Sequence, residues 1–156
     1  MNKDFYAAIK DRRSFYGISK ENVISDERIL EVVNYGVKHS PSPFNSQSAR
    51  VMVLLGENHN KLWDITKEEL RKIVPPQNFS DTEEKINSFR SGYGSILFFE
   101  DQDVVEELQE NFPTYKENFP KWSQQSSGML QFVIWTSLEM EGFGASLRSE
   151  ERRVGK

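Results

Sequence analysis

The sequence predicts a single domain that combines several helices with a small number of buried strands. Its 156 residues suffice for one hydrophobic core. Two short and almost wholly apolar runs, at residues 49–55 and 95–100, are typical of buried strands. Elsewhere apolar residues recur at helical spacing, most clearly over 25–39 and 121–141. These three observations together predict a mixed helix-and-strand fold.

Composition excludes several classes of function. The net charge of −4 argues against a general nucleic-acid binder, which needs a basic face. Cysteine is absent, which excludes disulfides, thiol catalysis and thiolate metal sites. Only two histidines are present, which excludes a multi-histidine metal site within one chain. No apolar run could span a bilayer and no signal-peptide pattern opens the chain, so we expect a cytoplasmic protein with no membrane or nucleic-acid partner.

A short amphipathic helix is predicted over residues 2–11, and Arg12, Arg13 and Ser14 follow it. Two guanidinium groups and a hydroxyl group place many hydrogen-bond donors together, and a guanidinium fork matches phosphate oxygens. The alternative is a plain basic helix end, where arginine meets the negative pole of the helix dipole. Taken alone, these residues favour the plain helix end.

A second helix begins after Ser25, a good N-cap, and ends near His39. Its predicted apolar stripe is formed by Leu30, Val33 and Val37, widened by Ile29 and Val32. The loop that follows, residues 40–48, is stiffened by Pro41 and Pro43. It offers donors and acceptors from three side chains, those of Ser42, Asn45 and Gln47. Such a loop suits a flat ligand with a polar edge, although an ordinary helix-to-strand turn uses the same residue types.

The middle of the chain alternates between strands, helices and loops. The run at 49–55 predicts a strand buried on both faces, and a helix over about 57–73 follows, with His59 on its surface. Residues 74–80 predict a loop, after which Asp81 caps a short helix. Acidic residues after the second strand could bind a divalent cation, but capping and solvating a helix is the favoured interpretation.

The longest predicted helix, residues 121–141, is apolar on nearly all of its faces and should be buried. A domain of this size has little room to cover it, so the pattern predicts a partner subunit, although a central helix of a monomer would have the same pattern. Gly142 is expected to end the helix in a left-handed conformation. Residues 148–156 hold four basic and two acidic residues, and we expect a disordered tail there or an abnormal end to a longer domain.

Several motifs together resemble the FMN-dependent nitroreductase family. The resemblance rests on Arg12-Arg13-Ser14, on Pro41-Ser42-Pro43-Phe44-Asn45-Ser46-Gln47, and on Glu141-Gly142-Phe143-Gly144. Their order and separation make the match fairly specific. Residues 98–105 and 119–128 look like the fatty-acid-repression, or Frm2-like, branch of that family. The resemblance covers residues 1–147.

The resemblance implies an α+β, nitroreductase-like fold: a mostly antiparallel sheet flanked by helices, with the long buried helix at a homodimer interface. It also implies FMN in each of two clefts at that interface. Arg12 and Ser14 would hold the phosphate, with Arg13 beside them. The flavin ring would meet three residues of the partner chain, Ser42, Pro43 and Asn45, with Gln47 supporting their loop.

The implied activity is transfer of hydride from NAD(P)H through the flavin to a nitroaromatic or quinone-type acceptor, with no catalytic amino acid and no metal. Two other functions stay open: a flavin-binding or lipid-responsive regulatory module on the same fold, and an inactive fragment. The sequence departs from the family at Tyr16, where many members have a basic residue. Family domains also continue beyond Leu147, so the resemblance predicts that the C-terminal part of the domain is missing and that 148–156 is atypical.

Overall fold

A computed structural model describes residues 3–148, in which six helices flank a two-stranded antiparallel sheet. The helices are α1 Phe5–Asp11, α2 Asp26–His39, α3 Gly56–Ile73, α4 Phe79–Arg90, α5 Gln102–Asn111 and α6 Phe119–Met140. The strands are β1 Ala49–Leu55 and β2 Gly94–Glu100. The predicted α+β class, with helices flanking an antiparallel sheet, is confirmed. The tail predicted to be disordered begins at residue 148, and its residues 149–156 lie outside the described part of the chain.

Side-chain caps decide where several helices begin. The Asp4 carboxylate accepts hydrogen bonds from the backbone N–H groups of Tyr6 and Ala7, so α1 begins at Phe5. Ser25 caps α2 as predicted. Asp101 caps α5, which confirms that the acidic residues after β2 serve a helix.

The start of α4 was predicted wrongly. This helix begins at Phe79, directly after a 3-10 turn over Pro76–Asn78, so Asp81 lies inside its first turn and does not cap it. Its carboxylate still lies near the positive pole of the helix dipole, where negative charge is favoured. The sequence pattern located the helix but not its first residue.

One face of the sheet packs on helices and the other is half exposed. Val51 pairs with Phe98 and Val53 with Ile96, and these four side chains contact the core formed by α2 and α6. On the opposite face, Met52 is 50% exposed. The prediction of burial on both faces was therefore wrong: this antiparallel sheet packs one face on the core and leaves the other partly open.

The core lies between α2 and α6. It contains three residues of α2 and three of α6, namely Ile29, Val32, Val33, Leu130, Ile134 and Leu138. Gly36 allows the two helices to approach closely, because a Cβ atom at that position would lie 2.7 Å from Cγ1 of Ile134. The predicted stripe of α2 was only partly right, since Leu30 and Val37 are exposed.

Helix α6 is not buried on all sides within one chain. Leu130 and Ile134 face the core, but Met129, Phe132 and Val133 remain exposed, at 42%, 40% and 36%. These side chains are therefore left uncovered by residues 3–148 and form an apolar surface. Among residues 3–148, no helix is both long enough and apolar enough to cross a bilayer.

The position of His59 was predicted wrongly. This residue was expected on the surface, but it is 1% exposed. Nδ1 lies 3.0 Å from Oγ of Ser95, and Nε2 lies 3.2 Å from the carbonyl oxygen of Arg90. The ring thus links α3 to β2 and to the end of α4, and burial lowers its pKa below the ordinary value of 6.5.

Candidate functional site

The Arg12 guanidinium group lies at the end of α1 and stacks on α6. Its carbon Cζ is 4.1 Å from the centre of the Trp135 ring and 5.9 Å from that of Phe132. The Nε atom is buried and has no hydrogen-bond partner among residues 3–148. A buried charged donor without an acceptor is costly. Arg12 is therefore held in a fixed place with hydrogen-bonding capacity that the described chain does not use.

Arg13 is engaged differently. Its Nη1 donates to the backbone carbonyls of Lys10 and Arg12, each at 2.8 Å, in exposed surroundings. These carbonyls lie at the end of α1, where the helix itself offers no partners. Arg13 thus stabilises the helix end, as the plainer interpretation of the sequence expected, and it lies beside Arg12.

Ser14 joins the two ends of the described chain. It forms a parallel bridge with Ala145, and Phe15 donates its N–H group to the Ala145 carbonyl at 3.1 Å. The Ser14 Oγ atom accepts a hydrogen bond from the backbone N–H of Leu147 at 3.3 Å. That contact uses the oxygen and leaves the hydroxyl hydrogen for another acceptor. We call Arg12, Arg13 and Ser14 the arginine corner.

A cavity of about 590 Å³ lies next to the arginine corner, between the sheet and α6. Its wall is mostly apolar and includes Phe15 and Ile134. Two further wall residues, Trp135 and Ser146, each carry a buried polar atom without a partner within residues 3–148. Buried polar groups normally have a hydrogen-bond partner, so this wall can still satisfy a polar ligand.

The second predicted group lies in the loop of residues 40–48, and we call its compact part, residues 42–48, the amide loop. Its 3-10 turn covers Pro43–Asn45. The Gln47 N–H donates to Ser42 Oγ at 3.0 Å, and the Gln47 side-chain amide donates to Asn45 Oδ1 at 3.1 Å. Three of its residues have positive φ angles, Phe44 (56°), Asn45 (51°) and Gln47 (52°). Residues other than glycine rarely adopt this backbone conformation, so the loop is strained and its shape is strongly specified.

An aromatic cluster supports one side of the amide loop. The Phe44 ring contacts four rings from the region after α5 and from α6, those of Phe112, Tyr115, Phe119 and Trp122, with centroid distances of 4.9 to 6.1 Å. Asn45 is exposed, and its amide is bonded only to Gln47 among the described residues. The packing of Phe44 therefore fastens the loop on one side and leaves the exposed Asn45 side chain accessible to a ligand.

Sequence reasoning missed several residues that support these two groups. Trp135 was assigned only to the apolar helix, although it carries the Arg12 stack. Ser48, Glu100 and Ser123 were not singled out, yet they form a partly buried hydrogen-bonded cluster behind the amide loop. The one available signal was a pair of serines and a glutamate next to apolar runs. Among residues 3–148, no group of three histidine or carboxylate side chains could hold a metal ion.

Comparison with known proteins identifies the family. Residues 9–150 match the sequence model of the nitroreductase family. The chain belongs to this family. It is 29% identical over 148 residues to the nitroreductase FRM2 of Saccharomyces cerevisiae, covering 93% of this chain and 73% of FRM2. It is 34% identical over 139 residues to the putative nitroreductase HBN1 of the same yeast, covering 88% of this chain and 69% of HBN1. The Frm2-like branch expected from the sequence is confirmed.

Solved nitroreductase structures have the same fold. The nitroreductase CinD of Lactococcus lactis, in complex with chloramphenicol, matches with a TM-score of 0.84 and 37% identity, over 96% of this chain and 75% of CinD. A nitroreductase of Saccharomyces cerevisiae matches with a TM-score of 0.80 and 29% identity, over 90% of this chain and 76% of the other. The nitroreductase-like fold is therefore shown independently of the sequence motifs.

Proposed function

We propose that this chain is an FMN-dependent oxidoreductase that uses NAD(P)H as electron donor and acts as a homodimer. The observation that carries the proposal is the arginine corner, where a positioned guanidinium has a donor with no acceptor among residues 3–148, at the place where the family resemblance puts the FMN phosphate. Membership of the nitroreductase family supports the reaction class.

The residues of the arginine corner fit a phosphate group. Stacking on Trp135 fixes the plane of the Arg12 guanidinium, whose Nε–H has no acceptor among residues 3–148, and a guanidinium fork matches phosphate oxygens. The Ser14 hydroxyl can donate from beside it. Arg13 adds positive charge, although its Nη1 is already bonded to the helix end. Together these groups would hold a dianion through charge-assisted hydrogen bonds.

The amide loop fits the polar rim of a flavin ring. Ser42, Pro43 and Asn45 would meet the ring from the partner chain, and Gln47 would orient the Asn45 amide through the bond between them. Negative charge accumulates on the ring rim when a flavin is reduced, and donors placed there stabilise it. The strongly specified shape of the loop means that little reorganisation is needed when the ligand arrives.

Bound FMN would supply hydride transfer from NAD(P)H to a nitroaromatic or quinone-type acceptor. No catalytic side chain is assigned, so the protein's part is to bind, orient and exclude water. The exposed apolar residues of α6 support a homodimer in which each cleft combines one arginine corner with the partner's amide loop. Complexes of CinD with chloramphenicol and with 4-nitrophenol support acceptors that contain an aromatic ring.

The purified protein tests this proposal directly. It should be yellow, or become yellow with added FMN, and the flavin absorption should bleach with NADH under anaerobic conditions and return when a quinone is added. Colour without bleaching would contradict the reductase activity and favour a flavin-binding module. Absence of flavin binding after reconstitution would contradict the cofactor assignment.

The phosphate assignment predicts a ligand-selective defect. Arg12→Ala should weaken FMN binding by about 1.5–3 kcal/mol, the range for a hydrogen bond to a charged group, and should hardly change the affinity for riboflavin, which lacks the phosphate. Fluorescence titration with both ligands measures this. Arg13→Ala removes the same charge from the adjacent position. It should weaken FMN binding less than Arg12→Ala does, because the Arg13 guanidinium already bonds the helix end. Equal losses for FMN and riboflavin in Arg12→Ala would contradict the assignment.

A further inference from the structure

A partly buried carboxylate, that of Glu100, lies directly behind the amide loop. Glu100, the last residue of β2, accepts hydrogen bonds from Ser48 Oγ at 2.6 Å and from Ser123 Oγ at 2.7 Å. Both bonds end on the same oxygen, Oε2, while Oε1 is buried without a partner within residues 3–148. The two serines are 2% and 6% exposed. Short bonds to a carboxylate in such surroundings are among the stronger hydrogen bonds in proteins.

The three residues belong to three different parts of the fold. Ser48 ends the amide loop, Glu100 ends β2, and Ser123 lies in the first half of α6. The Ser48 carbonyl also accepts a hydrogen bond from the Asp101 N–H at 2.8 Å, so both the side chain and the backbone of Ser48 are fastened to the end of β2. Glu100 thus ties the end of the loop to the helix that carries the Arg12 stack.

The loop needs such an attachment because its backbone is strained. Three of its non-glycine residues have positive φ angles, a conformation that is kept only where contacts with the surrounding structure hold it in place. The aromatic contacts of Phe44 fasten one side of the loop, and the bond from Gln47 N–H to Ser42 closes it internally. Ser48, bonded to Glu100, is the fixed point at its end.

We infer that Glu100 is a positioning residue for the flavin-facing loop: through Ser48 and Ser123 it holds the three left-handed residues of that loop in the geometry in which Gln47 orients Asn45 toward the ring. This inference rests on the proposed function. It adds a determinant of ring binding that lies behind the loop and touches no part of the ligand.

Three alanine variants test the inference, two on α6 and one at the loop. Ser123→Ala breaks the bond to Glu100. Ser126→Ala is the matched control: this serine lies one turn away on the same helix, is 5% exposed, and donates only to the Trp122 carbonyl of its own helix. Ser48→Ala breaks the loop end of the tie. FMN and riboflavin affinities are measured by fluorescence titration, with the absorption spectrum of the bound flavin and the thermal midpoint of each variant.

We expect Ser48→Ala and Ser123→Ala to bind FMN and riboflavin about threefold to tenfold more weakly and to shift the spectrum of the bound flavin, because part of one charged hydrogen bond is lost from the loop. The affinity should fall equally for both ligands, unlike in Arg12→Ala, because the loop faces the ring and not the phosphate. Ser126→Ala should bind both like the wild type. In the double variant Ser48→Ala/Ser123→Ala, the losses of affinity should not add, because both substitutions break the same link through Glu100.

The outcomes separate the inference from the proposed function. A wild-type protein that binds no flavin overturns both. A wild-type protein that binds FMN, with Ser123→Ala and Ser126→Ala alike in affinity and spectrum, overturns the inference alone. A fall in the thermal midpoint without any change at the flavin also overturns the inference alone, since it reduces Glu100 to a purely structural residue.

Discussion

The buried ring of His59 couples folding to pH. Its pKa is lowered chiefly by burial, and the Arg90 carbonyl only partly opposes that effect. The unfolded chain therefore binds a proton more readily than the folded chain as pH falls below about 6.5. The contribution of neutral His59 to stability is fully present above that pH and is lost as the pH falls through this window.

We expect the free energy of unfolding to fall as the pH is lowered below about 6.5, with a His59 contribution to the slope of at most about 1.4 kcal/mol per pH unit. Urea denaturation at several pH values measures this. His59→Gln should lose that part of the slope, whereas His39→Gln, which changes an exposed histidine at the end of α2, should keep it. An unchanged slope in His59→Gln would show that carboxylates alone cause the acid sensitivity.

Residue types alone predicted where polar groups gather but not what each contacts. Arg12 and Asn45 could be named because paired arginines and a proline-flanked amide stand out in the local sequence. Trp135 and Glu100 could not, because their partners lie far away in the chain and only the packing of α6 brings them together. His59 was misplaced for the same reason: polar neighbours in α3 concealed a contact to β2 that is 36 positions away.

At the level of elements, the close approach of α2 and α6 depends on Gly36. Gly36→Ala should destabilise the protein by about 1–3 kcal/mol, because the added methyl group meets Ile134 in a filled core, and the better helix propensity of alanine offsets at most about 1 kcal/mol. Chemical denaturation measures the loss.

A control on the same helix isolates the packing effect. Asn34 lies on the exposed side of α2, and Asn34→Ala should leave the free energy of unfolding unchanged or slightly raised. If Gly36→Ala is as stable as Asn34→Ala, the two helices have room to move apart and the core is less tightly specified than the geometry indicates.

Periodicity predicted the elements better than it predicted their faces. The bounds of α2 and α6 were within two residues, because Ser25, the proline loop and Gly142 mark them in the sequence. The exposed face of β1, with Met52, was not predictable, because an apolar run does not reveal which neighbours cover it. Likewise the stripe of α2 was placed too widely, since only contact with α6 decides which apolar residues are buried.

At the level of the whole molecule, the exposed side of α6 predicts assembly. We expect the protein to sediment as a dimer at micromolar concentration, and Met129→Glu to shift it toward monomer, because a charge would be placed in an apolar interface. Flavin binding should weaken in the same variant, since each proposed cleft uses residues of both chains.

Ile65→Glu provides the comparison. Ile65 is similarly exposed, at 53%, but lies on α3, outside the proposed interface. This variant should sediment like the wild type and keep its flavin. A wild-type monomer that still holds FMN would contradict the shared cleft.

The bridge between Ser14 and Ala145 has a consequence for biosynthesis. The hydrogen bond from the Leu147 N–H to Ser14 joins residues 133 positions apart, so the place proposed for the phosphate cannot form on a nascent chain until Leu147 has left the ribosome. Helix α1 and the two arginines that follow it remain without these partners until translation has passed that point. Cofactor loading would thus come late in synthesis, and a translation product stalled before Leu147 should remain colourless.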